Sequence, residues 1–223
     1  MSDARKAPRT TTASCSDVAT ERQPRRVRRP AGETREDILN KAEELFRTRG
    51  YANAAIADIA HALGMSPANV FKHFHSKASL VDAIAARHME VKFAGLASVD
   101  SSRPARERLV DLARHLMASH RRDLEENPYI FEMILLTAKD DLQCGHRYRD
   151  IVRSALEAII VDGARDGEFA PQDSRRAADA AFYALACVLH PVMIANEQPD
   201  ILATRCEEVA RLINAALQTT LDK

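Results

Sequence analysis

A chain of 223 residues, 46% apolar but only 5% aromatic, with no Trp and seven Gly, can form one large domain or a small and a larger one. It is too poor in β-branched and aromatic runs for a sheet protein. Its formal net charge of zero excludes a globally basic binder, but residues 1–30 carry eight basic against three acidic side chains, so an arm of +5 precedes a body of −5. Cys15, Cys144, Cys187 and Cys206 lack paired spacing and read as reduced thiols of a cytoplasmic protein. No apolar run reaches the roughly 20 residues of a membrane span, and the N-terminus lacks the apolar segment of a secretory signal.

Residues 1–31 are rich in Thr, Ser, Arg and Pro, with almost no apolar anchor, and are expected to be a disordered basic arm. Pro8, Pro24 and Pro30 interrupt the amphipathic helix of an organellar transit peptide. Thr34-Arg35-Glu36-Asp37 is an [ST]-x-x-[DE] start in which Thr34 can cap the first helix. Ile38, Ala42, Leu45 and Phe46 form its apolar face, and Gly50 stops it. A second, short helix carries Ile56, Ile59, Ala60 and Leu63. Gly64-Met65-Ser66 then makes a tight turn before Pro67 opens a third helix at its preferred first-turn position. Val70 and Phe74 can pack inward, which leaves Asn69, Lys72 and His73 on outward or flanking faces. His73 and His75 are two residues apart and diverge on a helix, so no metal site is expected there.

A fourth helix opens at Ser76 and carries Leu80, Ile84, His88 and Val91 to about Gly95. Pro104 restarts a helix with Leu109, Leu112, Ala113, Leu116 and His120 on one face, ending near Asn127-Pro128. YIFEMILLTA, 129–138, is apolar almost all round and is expected to be buried. A further helix spans about 145–165, followed by the turn Asp166-Gly167-Glu168-Phe169. Ser174 is expected to cap an Ala-rich helix to about 196, and Pro199-Asp200 begins the last.

The stretch TREDILNKAEELFRTRGY…IADIAHALGMSPANVFKHFHSKASLVDAI, about 34–85, resembles the DNA-binding domain of the tetracycline-repressor (TetR) family. The capped first helix, Arg-Gly-Tyr exit, I-A-x-x-x-G turn and His-Phe before Ser-Lys occur in the family's order. The resemblance implies an all-α protein with a three-helix helix-turn-helix domain over 32–92, its motif about 55–74, and a helical ligand-binding and dimerisation domain over 93–223. It implies that Pro67, Ala68, Asn69 and Lys72 face base edges of an operator, while Phe71, His73 and Lys77 meet the sugar-phosphate backbone. Phe71 stands where many members have Tyr, and Ala54-Ala55 where they have Ser or Thr, so a phosphate-bonding hydroxyl and a helix cap are missing. With residues 34–77 at only +1, DNA binding is expected to lean on Arg25, Arg26, Arg28 and Arg29.

In the family the last two helices form the dimer interface, which implies a homodimer. Ala177, Ala181, Ala184 and Val188 would meet Val209, Ile213 and Ala216 there. An unknown small-molecule effector is expected in the body, with His120, Met117, Phe131, Met133 and Tyr148 as candidate ligand residues beside Phe93 and Tyr129. The bland reading of the same side chains is core. No phosphate-cradling Gly loop, H-E-x-x-H, G-x-S-x-G or Cys-x-x-Cys occurs, so no enzyme, cofactor or metal is expected. The expectation is a ligand-responsive DNA-binding regulator, a repressor. The alternatives are a DNA-binding organiser acting through protein partners, and a redox or metal sensor using Cys187, His190 and Cys206.

Overall fold

The computed structural model describes residues 31–93, 102–136 and 142–220. Among these there are ten helices and no strand: α1 Ala31–Arg49, α2 Ile56–Ala62, α3 Pro67–Phe71, α4 Lys77–Phe93, α5 Ala105–Glu126, α6 Pro128–Leu136, α7 Gln143–Arg165, α8 Ser174–Leu189, α9 Pro191–Asn196 and α10 Pro199–Ala216. The all-α expectation therefore holds. The basic arm, with Arg25, Arg26, Arg28 and Arg29, lies outside the described residues.

The apolar stripes assemble two cores. Ile38, Phe46, Ile59, Val70, Phe74, Leu80 and Ile84 of α1 to α4 form a small N-terminal core. Leu109, Leu112, Leu116, Leu156, Ile160, Leu185 and Ala210 of α5, α7, α8 and α10 form a larger one. Helix α6 is shared between them: Tyr129, Ile130 and Met133 enter the first core and Phe131 the second. This explains why its sequence is apolar almost all round.

Three helix starts or ends differ from expectation. Helix α1 is already formed at Ala31, so Thr34 lies inside it and does not cap it. The α8 cap is Asp173, whose Oδ1 accepts from the amides of Arg175 at 3.0 Å and Arg176 at 3.1 Å, one residue before Ser174. The Ala-rich helix is also broken. His190 is extended (φ −67°, ψ 134°), and α9 begins afresh at Pro191, because the residue before proline is driven out of helical geometry and proline offers no N–H. Ser174–Asn196 is long and apolar enough by composition to cross a membrane, but this break divides it, and α8 packs on α7, α10 and α5.

The turn after α7 shows why a small residue is needed at 163. A Cβ on Gly163 would lie 2.2 Å from the Phe169 ring, which folds back over α7. Gly167 makes the return possible at φ +79°. Glu168 then accepts from the α5 amides of Ala105 at 2.7 Å and Arg106 at 3.2 Å, supplying acceptors that a helix start lacks.

Candidate nucleic-acid interface

The α2–α3 turn is built by backbone geometry. Gly64 has φ +61°, and the amide of Met65 bonds Ala60 O at 2.9 Å while that of Gly64 bonds His61 O at 3.0 Å, a left-handed helix stop that favours glycine. Ser66 then caps α3, its Oγ accepting from the Asn69 amide at 3.3 Å, and Pro67 occupies the first turn. Val70 and Phe74 are buried in the N-terminal core, and α3 packs on α2. Arg35 lies over the Phe74 ring at 4.6 Å.

What remains of α3 is an exposed polar ridge. Pro67, Ala68, Phe71 and Lys72 are exposed, and Asn69 and His73 are half-buried. Phe71 is 45% exposed, a large ring turned to solvent. The Asn69 amide leans on Met65 Sδ at 3.8 Å, a weak contact that can be exchanged for a base edge. Ala55 gives α2 no side-chain cap, and Asp58 Oδ2 instead reaches back to the Ala55 amide at 2.8 Å.

Lys77 is placed differently from the other expected contacts. Its ammonium donates to Tyr51 O, approaches Ala52 O at 3.5 Å, and sits over the Tyr51 ring at 4.0 Å. Burial lowers its pKa. It is a strut between the start of α4 and the turn after α1, so Lys72 is the cation that the α3 ridge presents.

Sequence reasoning missed the residue that joins this unit to the body. Glu43 of α1 is engaged by Arg87 and, at 2.6 Å, His88 Nε2 of α4, and accepts at 2.7 Å from the Tyr129 hydroxyl of α6. Arg87 also donates to Asn40 Oδ1 at 2.7 Å. Further along, Asp82 of α4 accepts from the α7 amide of Cys144 at 2.7 Å. Helix α4 is thus tied to α1 on one side and to the body on the other. Adjacent polar residues within one helix carry no signal that their partners lie 44 or 45 positions away.

In the body, a groove of about 580 Å³ is lined by Phe93 of α4, Arg108 and Leu112 of α5, and Ile151, Ala155 and Ile159 of α7. Phe93, expected to line a cavity, does so, whereas His120, Met117, Tyr129, Phe131, Met133 and Tyr148 do not line this groove. His120 and Tyr148 instead bond each other at 2.9 Å inside an aromatic cluster with Phe93 and Phe182. Met117 and Phe131 are body core, and Met133 is core of the N-terminal unit.

The expected dimer stripe is also offset. Ala177, Ala181, Val188 and Ile213 are buried in this chain's own core and Val209 is half-buried, whereas Ala184 and Ala216 are exposed. Tyr183 of α8, at 63%, and Leu212 and Ile201 of α10, at 70% and 39%, are large apolar side chains turned outward. Cys187 is exposed, with its thiol on Ala184 O at 2.9 Å. Among the described residues no three His, Cys, Asp or Glu side chains gather as a metal site.

Residues 38–84 match the model for "Bacterial regulatory proteins, tetR family", and residues 105–210 match "Tetracyclin repressor-like, C-terminal domain". The chain is 42% identical to the HTH-type transcriptional regulator TtgR of Pseudomonas putida over 60 residues, 27% of this chain but only 29% of that protein. It is 29% identical to the HTH-type transcriptional activator FasR of Mycolicibacterium smegmatis, covering 67% of this chain and 84% of that protein. The fold is similar to that of RolR, solved in complex with resorcinol, with TM-score 0.58 and 17% identity over 86% of this chain and 96% of that one. With the two family models tiling the N-terminal unit and the body, the chain belongs to the tetracycline-repressor family of DNA-binding transcriptional regulators.

Proposed function

We propose that the protein is a homodimeric repressor that reads its operator with α3 and is released from it by a small molecule bound in the body. The observation that carries this reading is the α3 ridge, a polar surface with an exposed Phe71 and Lys72, held rigidly by the buried Val70 and Phe74 beneath it. A short helix so mounted fits a major groove, where base edges carry a full donor and acceptor code. Asn69 suits adenine N6/N7 and Lys72 guanine O6/N7. Phe71 has no hydroxyl for a phosphate, so the Arg25–Arg29 cluster supplies that contact.

Two copies joined through the outward faces of α8 and α10 would present two α3 helices about 34–36 Å apart, or a multiple of that, to successive major grooves. Helix α4 is the lever, tied to α1 through Glu43 and to α7 through Asp82. A ligand preferring the spacing of the two reading heads that does not fit DNA lowers operator affinity by its differential affinity for the two states. RolR, a neighbour of this fold solved in complex with resorcinol, supports a small-molecule ligand. The test is to sequence DNA fragments retained by the full-length protein and to measure affinity for the recovered site. A defined palindromic site supports the reading, and retention without sequence preference sinks it.

A second reading, transcriptional activation, is favoured by the relative with the longer match, which is named an activator. A reporter driven from the recovered site separates the two by the sign of its response. The thiol-sensor alternative is weakened because burial pushes the Cys206 thiol up to about 11, which keeps it protonated and unreactive at neutral pH.

A further inference from the structure

We infer that the groove between α4, α5 and α7 takes a small carboxylate with an apolar tail, its carboxylate held by the Nε and Nη2 edge of Arg108. This rests on the reading of the body as the effector-binding unit and names the class of effector.

Arg108 is 6% exposed, an unusual burial for a cation unless it is paired. Its Nη1 donates to Asp162 Oδ2 at 2.8 Å, and Asp162 is shared with Arg165 at 3.0 Å. One edge of the guanidinium is thereby used. The other is not: Nε is buried with no acceptor, and Arg108 makes no further hydrogen bond among the described residues. A buried donor without a partner is costly and rare. The Nε–Nη2 edge of a guanidinium is a fork of two parallel N–H groups, which a carboxylate fits with both oxygens.

The surroundings decide the rest of the ligand. Arg108 lines a groove of about 580 Å³ whose wall includes Phe93, Leu112, Ile151 and Ala155, within the range of about 300–1,000 Å³ for small-molecule sites. The remaining charged lining residues, Arg147 and Asp150, are both exposed, where solvent screens them. An apolar molecule would leave the fork unpaired, and a cation would meet Arg108 head-on. A carboxylate satisfies it while its tail covers the apolar wall. Because Nε is closed to solvent, docking requires a small turn of the guanidinium about its Asp162 bond. The tail would touch Phe93 at the end of α4, the helix that carries Arg87 and His88 to Glu43.

The test is calorimetric titration of the full-length protein with decanoate, decanol and decyltrimethylammonium, beside operator affinity measured with the same compounds. Decanoate is expected to bind tightest and the cation weakest. Arg108→Met should weaken decanoate about ten- to a hundredfold and leave decanol unchanged. Arg108→Lys, a charge without the fork, should recover part of the loss. Ala155→Phe, which fills the wall and keeps Arg108, should abolish binding of both. Should Arg108→Met fail to fold, the Lys and Phe variants carry the same comparison. Equal affinity for decanoate and decanol, decanoate binding undiminished in both Arg108 variants, or no decanoate binding at all overturns the inference. Decanoate bound without operator release defeats the release reading but leaves the carboxylate site. Release by decanol and not by decanoate does the reverse.

Discussion

Glu43 is the residue whose removal should most clearly separate the reading head from its support. Its side chain is 14% exposed and serves Arg87, His88 and Tyr129 from two other helices. In Glu43→Ala, the Tyr129 hydroxyl, on a residue 7% exposed, loses the acceptor bonded to it, at a cost of about 1–3 kcal/mol. Arg87 is 35% exposed and keeps Asn40 at 2.7 Å and Glu36 at 3.6 Å. Its lost pair is therefore worth only about 0.2–1 kcal/mol after solvent screening. These two losses, about 1–4 kcal/mol together, should appear in urea denaturation at fixed protein concentration, since the proposed dimerisation would make stability concentration-dependent. Tyr129→Phe alone should cost about 0.5–1.5 kcal/mol. Added to Glu43→Ala, it should cost almost nothing further, because it deletes the stranded hydroxyl. The cycle should thus show coupling of about 0.5–1.5 kcal/mol. Losses that add within about 0.3 kcal/mol would refute the hub.

Three further outcomes follow from other parts of the molecule. Leu212→Arg, at a position 70% exposed, should yield a folded monomer by sedimentation, whereas Ile213→Glu, 7% exposed, should unfold the chain; a Leu212→Arg protein that remains a dimer contradicts the proposed face. Deleting residues 1–29 should flatten the slope of log operator affinity against log salt by about 2–4 per monomer, and coincident slopes for full-length and truncated protein would remove the arm from the interface. Burial pushes the thiols of Cys144 and Cys206 up to about 12 and about 11, so from about pH 8.5 upward the unfolded chain releases protons that the folded chain retains. Stability should then fall as pH rises, by at most about 1.4 kcal/mol per pH unit for each thiol, and the Cys144→Ala/Cys206→Ala double variant should show a shallower fall; parallel profiles would refute this.

The reading head was legible because its signals are local. Gly64, Ser66 and Pro67 dictate a stop, a cap and a start within four residues, and each does so in the structure. The misplaced features depend on distant contacts. The periodicity of Ala181, Val188 and Ile213 marks an apolar stripe, but periodicity does not say whether a stripe meets its own chain or a second copy. All three are buried within this chain, and the outward residues Tyr183 and Leu212 lie beside them. His120 and Tyr148, 28 positions apart, satisfy each other, so their polarity pointed to a ligand that their pairing does not require. Arg108 is buried on α5, and nothing in its local sequence marks Asp162, 54 positions on, as its partner. The break at His190 was written in His190-Pro191, but the Ala-rich run around it argued for continuity, and the proline rule won.

The measurement that tests the DNA-reading role of α3 most directly is the affinity of the parent, Asn69→Ala and Lys72→Ala proteins for the recovered operator and for scrambled DNA of the same length, at one salt concentration. Asn69 and Lys72 lie on the ridge, away from both buried anchors, Val70 and Phe74, so the substitutions should leave the fold intact. If α3 reads base edges, each should cost about 1–3 kcal/mol on the operator, relax preference at particular base pairs, and change binding to scrambled DNA far less. Equal losses on both DNAs would assign these side chains to the phosphate backbone and contradict base reading by α3.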